Sequence, residues 1–157
     1  MTPKETVTKY WLAWNGHNLD DLMALLAPEF ISRSSLSQGR PVNKDMIAKG
    51  FKMFDKSLPD LKEEIISIIA EGDRVVCEVI ETATFTGAME LPSGIIEPTN
   101  RSYKLPVGAF FRVNEQGLIT EQRTYWDTAD WEKQIGIDPK LFAPKTAAFA
   151  KIKPESA

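Results

Sequence analysis

The sequence predicts an α+β fold, with helices first and an antiparallel sheet after them, on three observations. Up to Pro59, apolar residues recur at helical spacing between capping residues and helix stops. From Leu61 to Trp126 the period changes from helical to extended, and β-branched runs alternate with turn signals. The 157 residues, 43% of them hydrophobic, suffice for one complete core and not for two ordinary ones. A single domain is therefore expected over residues 2–136. A tail, 137–157, follows it, carrying Phe142 and Phe149, and is expected either to pack down or to fray.

Thr2-Pro3-Lys4-Glu5 is a capping box with proline at the first helical position, so a helix should begin there and end at Gly16. Val7, Tyr10, Trp11 and Trp14 give it one broad aromatic face, which must lie against core or ligand. Asn18 caps a second helix with Leu19, Leu22, Met23 and Leu26 on one face, and Pro28 should stop it. Residues 29–35 read as a short strand. Asn43 caps a third helix that turns Ile47, Phe51 and Phe54 inward before Pro59. Four strands follow, at 61–70, 74–86, 102–113 and 118–126, with turns at 71–73 and 114–117. The segment 87–100 is rich in Gly and Pro yet carries Met89, Leu91, Ile95 and Ile96, and reads as a flap or subunit contact. Residues 127–135 form a last short helix closed by Gly136.

Charge and composition exclude several classes. A net charge of -3, from 19 basic and 22 acidic residues spread along the chain, gives no footprint for nucleic acid. No apolar run approaches the roughly 18 residues of a membrane span, and the N-terminus lacks a signal-peptide pattern, so a cytoplasmic protein is expected. A lone Cys77 rules out an internal disulfide, and with His17 the only histidine, neither a Cys/His zinc site nor a second-histidine triad is expected. Neither metal nor cofactor is implied.

Alternation along the strands assigns their faces. Tyr103, Leu105, Val107, Ala109, Phe111 and Val113 share an apolar face. In the preceding strand Val75, Cys77, Val79, Ala83 and Phe85 do the same, and Glu81 is the only charge among them. A carboxylate desolvated in this way has its pKa raised, which poises it as a general acid or base. The alternative is a rim glutamate, paired or solvated. On the last strand Gln122, Thr124 and Trp126 face the interior, while Glu121 and Arg123 serve the outer face and pair with a neighbouring strand or a second subunit. Asp127, at a strand end before a helix, reads as that helix's cap.

Four stretches, AWNGHNLDDLMALLAPEF, AEGDRVVCEV, TFTG followed by EPTNRSY, and GLITEQRTYWDTADWEKQIG, resemble the SnoaL-like polyketide cyclase branch of the nuclear transport factor 2-like superfamily. The resemblance covers most of the chain. It implies a cone-shaped, curved antiparallel sheet wrapped around the N-terminal helices to enclose one apolar pocket. It also implies a homodimer built on the outer sheet face. Residue by residue, the chemistry departs from the family pattern. The acid/base Asp of the polyketide cyclases falls at Thr124, their helping His at Ala109, and the His of the earlier strand at Phe85. Against the ketosteroid isomerases, Tyr10 matches the oxyanion-hole Tyr, while the base falls at Ser34 and the hole Asp near Ala109. Against the limonene epoxide hydrolases the matching positions are Thr124, Ser32, Ser34, Val79 and Glu81, and only the carboxylate at Glu81 is kept.

Two readings stay open, since a fold of this kind hosts unrelated chemistries. One is a cofactor-free cyclase, isomerase or lyase of a small apolar or polyketide-like substrate, with Glu81 as acid/base and Tyr10, Ser34, Gln122 or Thr124 as hydrogen-bond donors. The other is a binding protein holding an apolar metabolite against Trp14, Phe85, Phe111 and Trp126. Epoxide hydrolysis or a protein-interaction role ranks below both.

Overall fold

The computed structural model describes residues 1–91 and 94–138, and the expected tail lies almost wholly outside them. Its element order is α1 (Pro3–Asn15), α2 (Leu19–Ala24), β1 (Leu26–Ser34), β2 (Val42–Asn43), α3 (Lys44–Ser57), β3 (Lys62–Glu71), β4 (Arg74–Thr84), β5 (Met89–Leu91), β6 (Gly94–Ile96), β7 (Ser102–Val113), β8 (Ile119–Tyr125) and α4 (Thr128–Ile135). The capping residues read from the sequence start four helices. Thr2 and Glu5 exchange both bonds of the box on α1, and Asn18, Asn43 and Asp127 each accept a backbone N–H of the helix that follows. Gly136 ends α4 in the left-handed conformation at φ 73°.

Six strands form a curved, unclosed sheet in the order β2-β1-β8-β7-β4-β3, and β5 and β6 form a separate hairpin. The antiparallel expectation holds for every pair except one: β1 runs parallel to β8, with Ser32 beside Gln122 and Ser34 beside Thr124. That strand also starts earlier than the sequence suggested. Leu26, expected on the second helix, already belongs to β1, and Pro28 lies inside the strand rather than ending a helix. A register shift between Leu26 and Ile31 accommodates the proline, which donates no ladder bond.

The helices cover one face of the sheet, where Val7, Tyr10 and Trp11 of α1 and Phe51 of α3 meet Val75, Cys77, Val79, Leu105, Val107 and Phe111. Tyr10, Trp11 and Phe111 contact one another edge to face at 5.1–5.8 Å between centroids. Within segment 87–100, Met89 and Ile96 pair across the β5–β6 hairpin and both are buried. The outer face carries a row of directly opposed residues, Ile69, Val76, Phe110 and Arg123. Its Ile66, Ile69, Val76, Phe110 and Tyr125 are exposed. No helix among the described residues is long and apolar enough to cross a membrane.

Candidate functional site

Two polar clusters interrupt the apolar interior. The first joins α1, β8 and β1. Ser32 Oγ donates to Gln122 Oε1 at 3.1 Å, and Gln122 Nε2 donates to the Tyr10 hydroxyl at 2.7 Å. All three residues are buried, and Tyr10 is thus an acceptor in this chain, its own proton uncommitted to any described partner. Burial pushes the Tyr10 hydroxyl well above the usual phenol range, and the nearby Glu63 carboxyl adds to the effect.

The second cluster joins β3, β4 and β7. Glu63 stands directly opposite Glu81 in the β3–β4 ladder, so both side chains lie on the helix-covered face. Tyr103 donates its hydroxyl to Glu81 Oε1 at 2.5 Å. Glu63 is only 7% exposed, and its Oε2 has no hydrogen-bond partner among the described residues. Its carboxyl is held well above the ordinary carboxylate range, first by burial and then by the charge and contact of Glu81. Tyr103 is also driven far above the usual phenol range, by desolvation first and by Glu81 second. Asn15, at the end of α1, fixes this corner: its Nδ2 donates to the Glu63 carbonyl at 2.8 Å and its Oδ1 accepts the Glu63 N–H at 2.7 Å. β3 is an edge strand, so these backbone groups have no neighbouring strand to bond, and the asparagine replaces one.

The residues expected at the site divide between these clusters and the surrounding core. Tyr10 and Gln122 bond each other, and Phe111 packs on Tyr10. Thr124 is half-buried between Ala109 and Ser34 in the sheet, in a row of small side chains where the cyclases of the family place proton-transfer groups. Ser34 bonds locally, its Oγ accepting the Ser37 N–H. Phe85 is fully buried. Trp126 packs partly buried against the core, and its indole N–H has no hydrogen-bond partner among the described residues. Glu81 takes its hydrogen bond from Tyr103, and no bond joins it to Tyr10, Gln122 or Thr124. The small recess beside Trp14, lined also by His17, Phe51, Phe54, Asp55, Leu58 and Leu61, has a volume of about 10 Å³. At its edge His17 Nδ1 and Asp55 Oδ1 lie 2.6 Å apart.

Glu63, Tyr103 and Asn15 were not singled out from the sequence. A signal for Glu63 existed: Leu61, Glu63 and Ile65 alternate in LKEEIISII, so Glu63 shares a face with apolar neighbours as Glu81 does. The outer charges also resolve differently from the expectation. Glu121 and Arg123 pair with each other along β8 at 3.2 Å rather than across strands. Asp127 takes the capping role read from the sequence, accepting the Asp130 N–H at 3.0 Å.

The architecture is thus a small α+β domain in which helices cover one face of a curved sheet and titratable groups stand on that covered face. The profile of the SnoaL-like polyketide cyclases matches residues 4–135, and the chain belongs to that family. Among solved structures, a candidate polyketide cyclase from Silicibacter sp. TM1040 is 27% identical, with TM-score 0.68 and coverage of 85% of this chain and 94% of that one. AclR from Streptomyces galilaeus, a candidate hydroxylase, is 24% identical at TM-score 0.72, covering 85% and 95% of the two chains. A protein of ketosteroid isomerase-like fold from Catenulispora acidiphila is 21% identical at TM-score 0.70, covering 87% and 96%. No curated protein matches the sequence.

Proposed function

We propose that this protein is a cofactor-independent acid/base enzyme of a small apolar carbonyl compound, with Glu81 as the proton-transfer group. One observation carries the reading. Glu81 lies on the helix-covered face, half-buried and held by the Tyr103 hydroxyl at 2.5 Å. Beside it, Glu63 is near the Tyr10 hydroxyl, which has a proton to donate to an oxyanion. In such a reaction Glu81 takes a proton from the carbon next to the carbonyl. The C–H electron pair moves to the carbonyl oxygen, and the enolate is reprotonated or attacks a second carbonyl. The family's usual acid/base positions, Thr124 and Ala109, stand opposite each other on β8 and β7 and transfer no proton at neutral pH. The chemistry has moved across the sheet, to β3 and β4.

The same substitutions at Thr124 and Ala109 support a second reading, a binding protein for an apolar metabolite packed among Trp14, Phe85, Phe111 and Trp126. Ring-containing ketones and lactones screened by thermal shift, then by turnover, separate the two. Turnover in the native protein that falls at least 100-fold in Glu81→Gln, with binding kept, supports the enzyme. Unchanged turnover in the variant eliminates Glu81 from the chemistry, and binding without turnover in either protein favours the binder. For assembly, the reading is a homodimer through the outer sheet face. The exposed row Ile69, Val76 and Phe110, with Tyr125 beside it, supports this.

A further inference from the structure

We propose that Glu63 and Glu81 share a single proton that rests on Glu63, making Glu63 the positioning residue that leaves Glu81 free to accept from Tyr103 and to face the substrate. The catalytic consequence rests on the reading of Glu81 given above, but the proton itself does not. The two carboxyls are opposed in register on one face of a β-ladder, where opposed Cβ atoms lie about 4.5–5.5 Å apart. Two negative charges at that spacing, with one of them buried, repel strongly enough that one carboxyl keeps its proton. No ion pair relieves them: neither residue takes part in any of the four salt bridges among the described residues.

Burial decides which carboxyl holds the proton. Glu63 is almost fully buried and has an unpartnered Oε2, so its ionised form would leave a desolvated negative oxygen with nothing to stabilise it. Glu81 is half-buried and already accepts the Tyr103 hydroxyl, a bond that stabilises a carboxylate. The other groups facing the pair reinforce this order. Among the described residues Glu81 is the one charged group acting on Glu63, and the titratable side chains facing the two are Tyr103 from β7 and Tyr10 from α1, both neutral in the physiological range. Asn15 holds the Glu63 backbone in place from the helix side.

A dyad with one proton can accept a second and give it back. In the reaction proposed above, the substrate proton goes to Glu81 as the carbon's C–H bond breaks, and the pair then holds two protons. One of these returns to the enolate at another atom, so the pair ends with the proton it began with and no external acid is consumed.

The test is carboxyl NMR of protein labelled at the glutamate Cδ, titrated in the native chain, Glu63→Gln and Glu81→Gln. One carboxyl is expected to titrate well above the rest in the native protein and to vanish in Glu63→Gln. In Glu81→Gln the same signal should persist with its midpoint moved toward the ordinary range, because burial remains and the like charge is gone. The Glu81→Gln arm also stands alone should Glu63→Gln fail to fold. Absence of a carboxyl raised well above the rest, or survival of that signal in Glu63→Gln, overturns the proposal; the lesser rise of Glu132, from its own desolvation, is expected in every variant. Where a carbonyl substrate is turned over, the native rate should fall on the alkaline side as Glu63 loses its proton, and Glu63→Gln should lose that alkaline limb. A limb unchanged in Glu63→Gln would count against Glu63. A raised carboxyl assigned to Glu63 with no turnover of any substrate would leave the shared proton standing and count against the enzyme reading alone.

Discussion

Glu63 links folding to pH through its burial. Its folded-state pKa lies above that of the unfolded chain, so the native state binds more protons across the intervening window. The stability this contributes is complete below the ordinary carboxylate range and is lost as pH rises through the folded-state titration. Urea denaturation from mildly acidic to alkaline pH should therefore show declining stability in the native protein. In Glu63→Gln that decline should disappear, and at alkaline pH the variant should be the more stable of the two. A decline of equal slope in both proteins would place the titrating group elsewhere. Phe85 tests the core at the same scale: fully buried, it should cost about 3–5 kcal/mol when truncated to Ala, read from the denaturation midpoint. Alternation along β4 put Glu81 on the apolar face while leaving a rim position open, and the same alternation carried one residue past the strand's end put Phe85 inside, where it is fully buried. It did not bring Glu63 and Tyr103 to Glu81, because which strand lies next to which, and in what register, is a property of the assembled sheet.

The capping residues show how far local chemistry alone determines structure. Thr2, Asn18, Asn43 and Asp127 all cap helices as their residue types imply, since the bonds they make lie within one turn of the chain. Asp127→Ala should accordingly cost about 1 kcal/mol, with little effect on anything beyond α4, as chemical denaturation would show. The boundary between α2 and β1 was not legible, because Leu26 satisfies a helical face and a strand face equally well until β8 is present to pair with it. Gly87 marks another such place. A Cβ there would stand 2.2 Å from the carbonyl oxygen of Lys56, at the end of α3, while the Gly87 N–H bonds the Ser57 carbonyl. Since the clash is with backbone, Gly87→Ala should destabilise by about 3 kcal/mol, the upper end of the usual overpacking range. A thermal midpoint equal to that of the native chain would show that the segment can move aside.

At the scale of the molecule, the architecture was predicted from composition, period and motif, and the family match bears it out. Glu81 was legible as the candidate carboxylate, and what could not be read was the second carboxylate, Glu63, that the sheet sets opposite it. A family's reactive positions are found by aligning motifs, and here those positions hold Thr124, Ala109 and Phe85, while the carboxylates lie on β3 and β4. The outer face provides the corresponding prediction for assembly. Phe110, opposed to Val76 on one side and Arg123 on the other, sits in the middle of the exposed row. If the native chain is the proposed dimer, light scattering of Phe110→Lys should show a monomer, and a native monomer would remove the outer face from the account.

The parallel pairing of β1 with β8 sets a timetable for synthesis. Residues 26–34 leave the ribosome early, but the strand that completes their hydrogen bonding ends at Tyr125, after nearly all of the domain has been made. Until then β1 has only the two-residue β2 beside it, and Ile31 and Ser32 have no partner strand on the other side. Such long-range closure slows folding and leaves an unpaired edge for its duration. A nascent chain stalled before β8 should bind chaperones through this N-terminal segment and release them once the last strand has emerged.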